Sequence, residues 1–228
     1  MSALVRTKSV DSDYDHLLKF IVLGDLNVGK TTYLYHFVHN TYSNFKSTVG
    51  IDFYEKRVTF KSNINIGAKY RLKLLLWDSA GQERYRSLTT SLFRDIMGFI
   101  LMFDVTNEST FLSVRNWITF IQTHCYNSEP QIILIGNKID ADNRRFVDTV
   151  RAKDLADELH VVYIETSSVT GHNVKESMEL LIEQTMNQME LATQKYYKSS
   201  STIDIREMPT KSKTLMKKLY ENKNQCNC

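Results

Sequence analysis

Three short segments of the chain concentrate glycine, lysine, hydroxyl and carboxylate side chains at regular spacings. The first runs from 24 to 31 and reads Gly-Asp-Leu-Asn-Val-Gly-Lys-Thr. Its two glycines allow backbone N–H groups to wrap around phosphate oxygens, Lys30 adds a full positive charge, and the Thr31 hydroxyl can ligate Mg²⁺. Such short patterns also match by chance, so the interpretation depends on a strand before the segment and a helix after it. Both are predicted here, and the segment therefore indicates a phosphate-binding loop.

The second segment, 77–83, reads Trp-Asp-Ser-Ala-Gly-Gln-Glu and follows a predicted strand. Asp78 then lies at the carboxyl end of that strand, where ligands of open α/β sheets bind, and can hold a metal ion directly or through water. Gly81 leaves room for a backbone N–H to approach a terminal phosphate, and Gln82 can orient an attacking water. Taken alone, Asp78 could equally cap a helix and Gln82 could be a solvated loop side chain. Beside Lys30, the phosphate-binding interpretation is favoured.

The third segment, 137–140, reads Asn-Lys-Ile-Asp and also follows a predicted strand. A carboxylate accepts two hydrogen bonds, and guanine presents N1–H and its 2-amino group side by side, whereas adenine has neither. Asp140 in that place would select guanine, with Asn137 and Lys138 bracing the loop and covering the base. A polar turn after a strand is the alternative. An ATPase or a small-molecule kinase could share the phosphate loop, but Asp140 argues against both.

The elements that must position these segments follow from apolar periodicity. Short apolar or β-rich runs predict strands at 17–23, 51–61, 70–77, 98–105, 131–137 and 161–165. Helical spacing predicts helices at 32–40, 111–121, 148–160 and 174–189. Alternating strands and helices indicate an α/β fold: a six-stranded mixed, mostly parallel sheet with helices on both faces. A hairpin across 62–69 supplies its antiparallel edge strand.

Composition bounds the class of protein. The 228 residues are 42% hydrophobic and 24% charged, which is typical of one ordinary globular domain. The net charge is only +3, so we expect no nucleic-acid polymer as a partner. Three cysteines exclude a disulfide scaffold. The start has no apolar signal segment, Ser2 excludes N-myristoylation, and no apolar run could span a bilayer, so we expect an intracellular protein. We expect a flexible N-terminus at 1–14, a globular domain at 15–190 and a disordered basic tail at 191–228.

With these motifs in place, the chain resembles the Rab family of Ras-like small GTPases over 17–189. The segments 47–53 and 77–84 correspond to its two switches, and 137–140 and 165–168 to its guanine motifs. Within the Rabs, the segments 53–58, 86–90, 93–95 and 103–117 are most similar to the subgroup that acts on melanosomes and secretory granules. The resemblance implies a Ras-like P-loop G domain. It also implies a GTP/GDP-controlled membrane switch in vesicle transport and regulated exocytosis, which hydrolyses GTP slowly without an activating protein.

The resemblance also assigns the site. Lys30 and Gln82 would be catalytic, and Thr31, Thr48 and Asp78 would hold Mg²⁺. The nucleotide-binding residues it implies are Asp25, Leu26, Asn27, Val28, Gly29, Lys30, Thr31, Thr32, Tyr42, Thr48, Gly81, Asn137, Lys138, Asp140, Thr166, Ser167 and Ser168. Because 30–48 is one residue shorter than the usual spacing, either Tyr42 or Phe45 could flank the base or ribose. Thr48 and Gly81 would contact the terminal phosphate only in the GTP state, which makes the two loops a switch.

Partners and membrane attachment follow from the same resemblance. Effectors would bind Ile51, Phe53, Trp77 and Tyr85 in the GTP state, although ordinary core packing is the alternative for these side chains. The other expected partners are an exchange factor, a GTPase-activating protein, a GDP-dissociation inhibitor and a prenylation escort, and the protein is expected to be monomeric. Cys226 and Cys228 form a C-x-C ending that would be doubly prenylated, the alternative being two idle thiols. We therefore expect a lipid-anchored protein on the cytoplasmic face of vesicles or secretory granules, with a cytosolic pool.

Leu26 departs from the family pattern, in which this position usually holds a small residue. We hypothesise that its branched side chain hinders Gln82 or an incoming activator and slows hydrolysis. A side chain tilted to solvent is the alternative. In the extreme case the chain would be a GTP-bound effector-binding module that hydrolyses slowly or not at all.

Overall fold

The computed structural model describes residues 13–45, 51–79, 93–127 and 129–201, excluding the side chains of 51, 94, 142 and 197–201. Within these residues six strands form one sheet: β1 (His16–Leu23), β2 (Ile51–Lys61), β3 (Lys69–Ser79), β4 (Gly98–Asp104), β5 (Gln131–Asn137) and β6 (Val162–Thr166). The order across the sheet is β2-β3-β1-β4-β5-β6. Only β2 and β3 pair antiparallel, and the other neighbours are parallel. The expected mixed sheet with one antiparallel edge strand is confirmed.

Five α-helices are present in the described residues: α1 (Lys30–His39), α2 (Glu108–Leu112), α3 (Val114–His124), α4 (Thr149–Glu158) and α5 (Val174–Ser201). Two short 3-10 segments, Phe93–Asp95 and Ile139–Arg144, complete the order. None of the helices in this part of the chain is long and apolar enough to cross a bilayer. The strand bounds differ from the predicted ones by at most two residues, since strand ends carry the weakest periodic signal.

All four predicted helical spans differ from the observed bounds, and the helix predicted at 148–160 is observed at Thr149–Glu158. α1 begins at Lys30 rather than 32, directly after Gly29, and ends at His39, where Asn40 caps it in a left-handed conformation. The predicted helix at 111–121 is divided at Ser113, whose hydroxyl donates to the carbonyl of Ser109 at 3.0 Å. A serine hydroxyl in a helix can compete with backbone N–H groups for a carbonyl in this way. The spacing of apolar residues carries no signal of this break.

The last helix is longer than the composition predicts. It continues to Ser201, so the first part of the segment expected to be a flexible linker from about Leu191 is helical. Leucine, alanine, glutamine and lysine favour helix, and Pro209 is the first strong breaker. The chain divides into one compact unit ending at Asn187 and a second beginning at Gln188.

The core covers both faces of the sheet. On one face, β1 and β4 pack against α2, α3 and α4 through a cluster that includes Phe99, Phe103 and Ile121. On the other face, Tyr33 of α1 is fully buried and its hydroxyl lies 2.7 Å from Ser177 Oγ of α5. Because β1, β3, β4, β5 and β6 run parallel, their carboxyl ends meet at one edge of the sheet.

Candidate nucleotide-binding site

A cavity of about 330 Å³ opens at that edge of the sheet, within the usual range of roughly 300–1,000 Å³ for small-molecule sites. Most of the predicted nucleotide-binding residues that the structure describes form its wall. The predicted residues lining it are Leu26, Asn27, Gly29, Lys30, Thr31, Thr32, Tyr42, Asn137, Lys138, Asp140 and Ser168. Four further residues complete the lining: Asn44, Phe45, Ser79 and Val169. Since Tyr42 and Phe45 both line the cavity, the structure brings both candidate aromatic side chains to the site.

The remaining predicted residues fall into three groups. The first group does not line the cavity but is hydrogen-bonded to residues of its wall or of the phosphate loop, as described below: Asp25, Val28, Asp78, Thr166 and Ser167. The second group lies outside the described residues, and its assignments stay predictions: Thr48, Gly81, Gln82, Tyr85, Cys226 and Cys228. Of the expected effector surface, Phe53 is 51% exposed and its ring centroid lies 5.5 Å from that of Trp77 across the β2–β3 pair. Ile51 pairs with Ser79 in the same ladder.

The phosphate loop joins β1 to α1 and is shaped by its glycines. Gly29 has φ +100°, and a Cβ there would lie 2.4 Å from Asn137 Nδ2, so no other residue fits without displacing that amide. Asn27 also has positive φ, at 63°, which asparagine tolerates better than most residues. Because Gly29 has no side chain to cap α1, the first N–H groups of the helix remain available to an anion in the cavity.

Lys30 is the cation of this loop and is only 6% exposed. Its Nζ donates to the carbonyls of Gly24 at 2.9 Å and Asp25 at 2.8 Å. Burial lowers the pKa of Lys30 to about 8, against the opposing effect of the carboxylates of Asp78 and Asp25. A buried ammonium group is stabilised by a negative charge nearby, which a bound phosphate would supply.

Thr31 and Asp78 form the hydroxyl–carboxylate pair that the sequence suggests for a metal ion. Thr31 Oγ1 donates to Asp78 Oδ2 at 2.6 Å, and Asp78 is fully buried at the end of β3. The next residue, Ser79, donates through its hydroxyl to the carbonyl of Val22 at 2.7 Å, which fixes this strand end against β1. Hydroxyl and carboxylate oxygens are the hard ligands that Mg²⁺ prefers, so the pair fits a magnesium ion beside the phosphates.

Asn137 is the residue that joins the separate segments. It is 1% exposed, and its Nδ2 donates to the carbonyl of Val28 in the phosphate loop at 2.8 Å. Its Oδ1 accepts from Thr166 Oγ1 at 3.1 Å and from both N and Oγ of Ser168 at 3.0 Å. Asn137 therefore links the phosphate loop to the segment 166–168, and its predicted role in bracing the base-binding loop stays a prediction.

Asp140 and Lys138 flank the same cavity. Asp140 is exposed, and its Oδ1 accepts from Ser167 Oγ at 2.6 Å, which leaves the rest of the carboxylate to face the cavity it lines. Lys138 has positive φ, at 72°, and its Nζ lies 2.7 Å from Asp104 Oδ2. Sequence reasoning missed Asp104, although its place at the end of a predicted strand beside Asn137 was a usable signal.

The chain is similar to one known protein family and to several of its members. The chain matches the model of the Ras family over residues 19–187. It is 48% identical over 189 residues to the Ras-related protein Rab-27B of Homo sapiens, covering 81% of this chain and 87% of that protein. The Ras-related protein Rab-27A of Rattus norvegicus is also 48% identical over 189 residues, covering 81% of this chain and 86% of that protein. The Rab-27A of Canis lupus familiaris is 49% identical over the same length.

Proposed function

This chain belongs to the Ras family and is a Rab-type small GTPase, and we propose that the cavity described above is where it binds GTP or GDP. The observation that carries the proposal is the set of hydrogen bonds made by Asn137. One buried amide holds the phosphate loop at Val28 and the guanine segments at Thr166 and Ser168 together. The cavity walls that would contact the two ends of a nucleotide are therefore set at a constant separation.

Each end of the cavity suits one end of the nucleotide. Lys30 and the open N-terminus of α1 supply positive charge for the phosphates. At the other end, the Asp140 carboxylate would accept from N1–H and the 2-amino group of guanine, and its hydrogen bond from Ser167 holds it in place. Tyr42 and Phe45 supply apolar surface for the base or ribose.

Mg²⁺ is the cofactor that this site would take. Thr31 and Asp78 would hold it on the protein side, and Thr48 is proposed from the sequence as a further ligand in the GTP state. When bound, the ion would neutralise charge on the β- and γ-phosphates. Gln82 is proposed to orient the attacking water and Lys30 to stabilise the transferred phosphate charge.

The GTP state is proposed to differ from the GDP state in the two switch segments. Thr48 and Gly81 would each contact the terminal phosphate, and its loss would release both contacts. Phe53 of β2 is exposed and contacts Trp77 of β3, which is partly buried and also packs against the hydrophobic core. This pair, with Ile51 and Tyr85, is proposed as the surface that effectors recognise in the GTP state.

The proposed place of action is the cytoplasmic face of vesicles or secretory granules, as in the Rab subgroup that the sequence resembles. Rab proteins work with effectors and regulators. For this chain we propose an exchange factor, an activating protein, a GDP-dissociation inhibitor and a prenylation escort. The domain proposed at 15–190 would be anchored through the basic tail and two prenyl groups on Cys226 and Cys228.

Nucleotide analysis of the purified full-length chain tests the proposal. GDP or GTP should be found bound, and phosphate release from GTP should be measurable. Asp140→Asn should weaken the binding of GTP and strengthen the binding of xanthosine triphosphate. The reason is that xanthine has an acceptor where guanine has its 2-amino group. Preferential binding of ATP, or an unchanged base preference in the variant, would contradict the assignment. The alternative of a module that does not hydrolyse is not favoured, because the family consists of GTPases.

Effector binding is tested separately by affinity capture with GTP-analogue and GDP forms of the protein. A partner retained only by the GTP-analogue form should be lost in Phe53→Ala. Phe146→Ala is the matched control, since Phe146 is also exposed but lies outside the proposed surface. Equal loss in both variants would remove the assignment of this surface.

A further inference from the structure

His36 lies on α1, the helix whose first turn faces the phosphate end of the cavity. Its Nδ1 is 3.0 Å from the carbonyl oxygen of Ser168. Because a carbonyl oxygen only accepts, Nδ1 must carry the proton and donate. His36 is half-buried and is not part of the cavity wall, so it acts from behind the loop that carries Ser168.

The other edge of the imidazole ring packs against Gly171. A Cβ at Gly171 would lie 2.4 Å from His36 Nε2, and the residue has φ +83°. The absence of a side chain at this position is therefore what admits the ring. The N–H of Gly171 donates to the carbonyl of Ser167 at 2.8 Å, which closes the turn on which the ring rests.

The residues that His36 holds are the ones that orient the guanine-facing side chains. The N–H of Ser168 donates to Asn137 Oδ1 at 3.0 Å, and Ser167 Oγ donates to Asp140 Oδ1 at 2.6 Å. A displacement of the backbone at 167–168 would therefore move both of these donors. The contact between His36 and Ser168 is the link from α1 to the part of the site that would read the base.

We propose that His36 is a positioning residue for guanine recognition. From α1 it holds the carbonyl of Ser168, and through Ser167 it keeps the Asp140 carboxylate directed at the base. The inference rests on the proposed function, because Asp140 must be the group that reads guanine. It predicts that loss of the imidazole weakens the contact with the 2-amino group more than it weakens nucleotide binding in general.

The test uses the full-length chain and compares GDP with inosine diphosphate, which lacks the 2-amino group. His36→Met preserves length and bulk but has no donor, whereas the amide of His36→Gln can still donate to the carbonyl of Ser168. His36→Met should release GDP about three- to ten-fold faster, the range expected for one hydrogen bond. The preference for GDP over inosine diphosphate should fall by a similar factor, and His36→Gln should restore most of both.

His39→Ala is the matched control on the same helix. Its ring packs against Tyr35 and Tyr54, at centroid distances of 4.4 and 6.5 Å, and makes no described contact with 167–171. It should leave the preference between the two nucleotides unchanged. An equal loss of affinity for GDP and inosine diphosphate in His36→Met, or no change in either, would overturn the inference.

Asp140→Asn distinguishes a failure of the proposed function from a failure of the role of His36. If this variant keeps the parent's preference for GDP over inosine diphosphate, the proposed guanine-reading role of Asp140 fails, and the inference fails with it. If the preference is lost in Asp140→Asn while His36→Met behaves as the parent, only the role of His36 is refuted.

Discussion

The indole Nε1 of Trp117 donates to Asp25 Oδ1 at 2.8 Å. Trp117 belongs to α3 and is only 4% exposed, whereas Asp25 belongs to the phosphate loop. The carbonyl of the same Asp25 accepts from Lys30 Nζ at 2.8 Å. A core helix therefore holds the loop residue whose backbone positions the lysine of the site.

This contact predicts an energetic coupling between α3 and the phosphate loop. The changes Trp117→Phe and Asp25→Ala should each lower the free energy of unfolding, the first partly through lost volume. In the double variant the losses should fall short of the sum by about 1.5–3 kcal/mol, the worth of a hydrogen bond to a charged acceptor. Urea unfolding of the four proteins measures this, and additive losses would show that the contact contributes nothing.

Removal of the joining amide in Asn137→Ala should damage binding and stability together. The carbonyl of Val28 and the N–H of Ser168 would lose their partner, so we expect about 2–4 kcal/mol less stability. Affinity for GDP should fall by roughly 100-fold, which corresponds to about 2.7 kcal/mol. Asn63→Ala removes an amide that bonds Glu183 at the surface and should change neither quantity. Calorimetric titration with GDP would decide, and a tight-binding Asn137→Ala variant would contradict the account of the site.

Leu26 lines the cavity and is 41% exposed, so its side chain is within the space that a nucleotide would share. If it hinders Gln82, Leu26→Ser should accelerate hydrolysis. A three- to ten-fold rise corresponds to roughly 1 kcal/mol off the barrier. Single-turnover GTP hydrolysis measures the rate directly, with nucleotide release recorded alongside as the control. Identical rates in parent and variant would show that the side chain tilts harmlessly to solvent.

The ion pair behind the 165–168 motif predicts a dependence of stability on pH. Burial raises the pKa of Glu165, but the hydrogen bonds from Arg145, Thr149 and Tyr163 outweigh it and leave the pKa below its usual value of 4.5. The Arg145 guanidinium contacts both carboxylate oxygens, at 3.0 and 3.1 Å. A lowered folded-state pKa stabilises the protein above the unfolded-state value, and this stabilisation is lost as the pH falls through the folded-state pKa.

Arg145→Met should therefore cost about 1–3 kcal/mol at neutral pH, because it leaves a partly buried carboxylate without its cation. The difference from the parent should shrink as the pH falls below the usual value of 4.5 towards the lower folded-state pKa of Glu165 in the parent. Urea unfolding across pH 3–7 measures this difference in the free energy of unfolding, with Arg144→Met as a neighbouring control. A difference that stays constant over the whole range would refute the electrostatic explanation.

Residue types and their spacing were enough to predict the class of fold and most of the cavity wall. The pattern Gly24 to Thr31 is local: its glycines, its lysine and the strand and helix around it lie within a few residues of one another, so spacing alone carries the geometry. The same holds for Asn137 and Asp140 after β5. Parallel strands then bring separate motifs to one edge, because their carboxyl ends must coincide.

The side-chain contacts that hold these motifs together could not be predicted in the same way. Trp117 with Asp25, His36 with Ser168 and Arg145 with Glu165 are far apart along the chain, and no periodicity specifies such pairs. They depend on how helices pack on the sheet to within about 0.5 Å, the tolerance of a hydrogen bond. Residue type and spacing encode local conformation and burial. These contacts instead depend on the distances between the helices and the sheet once they are packed.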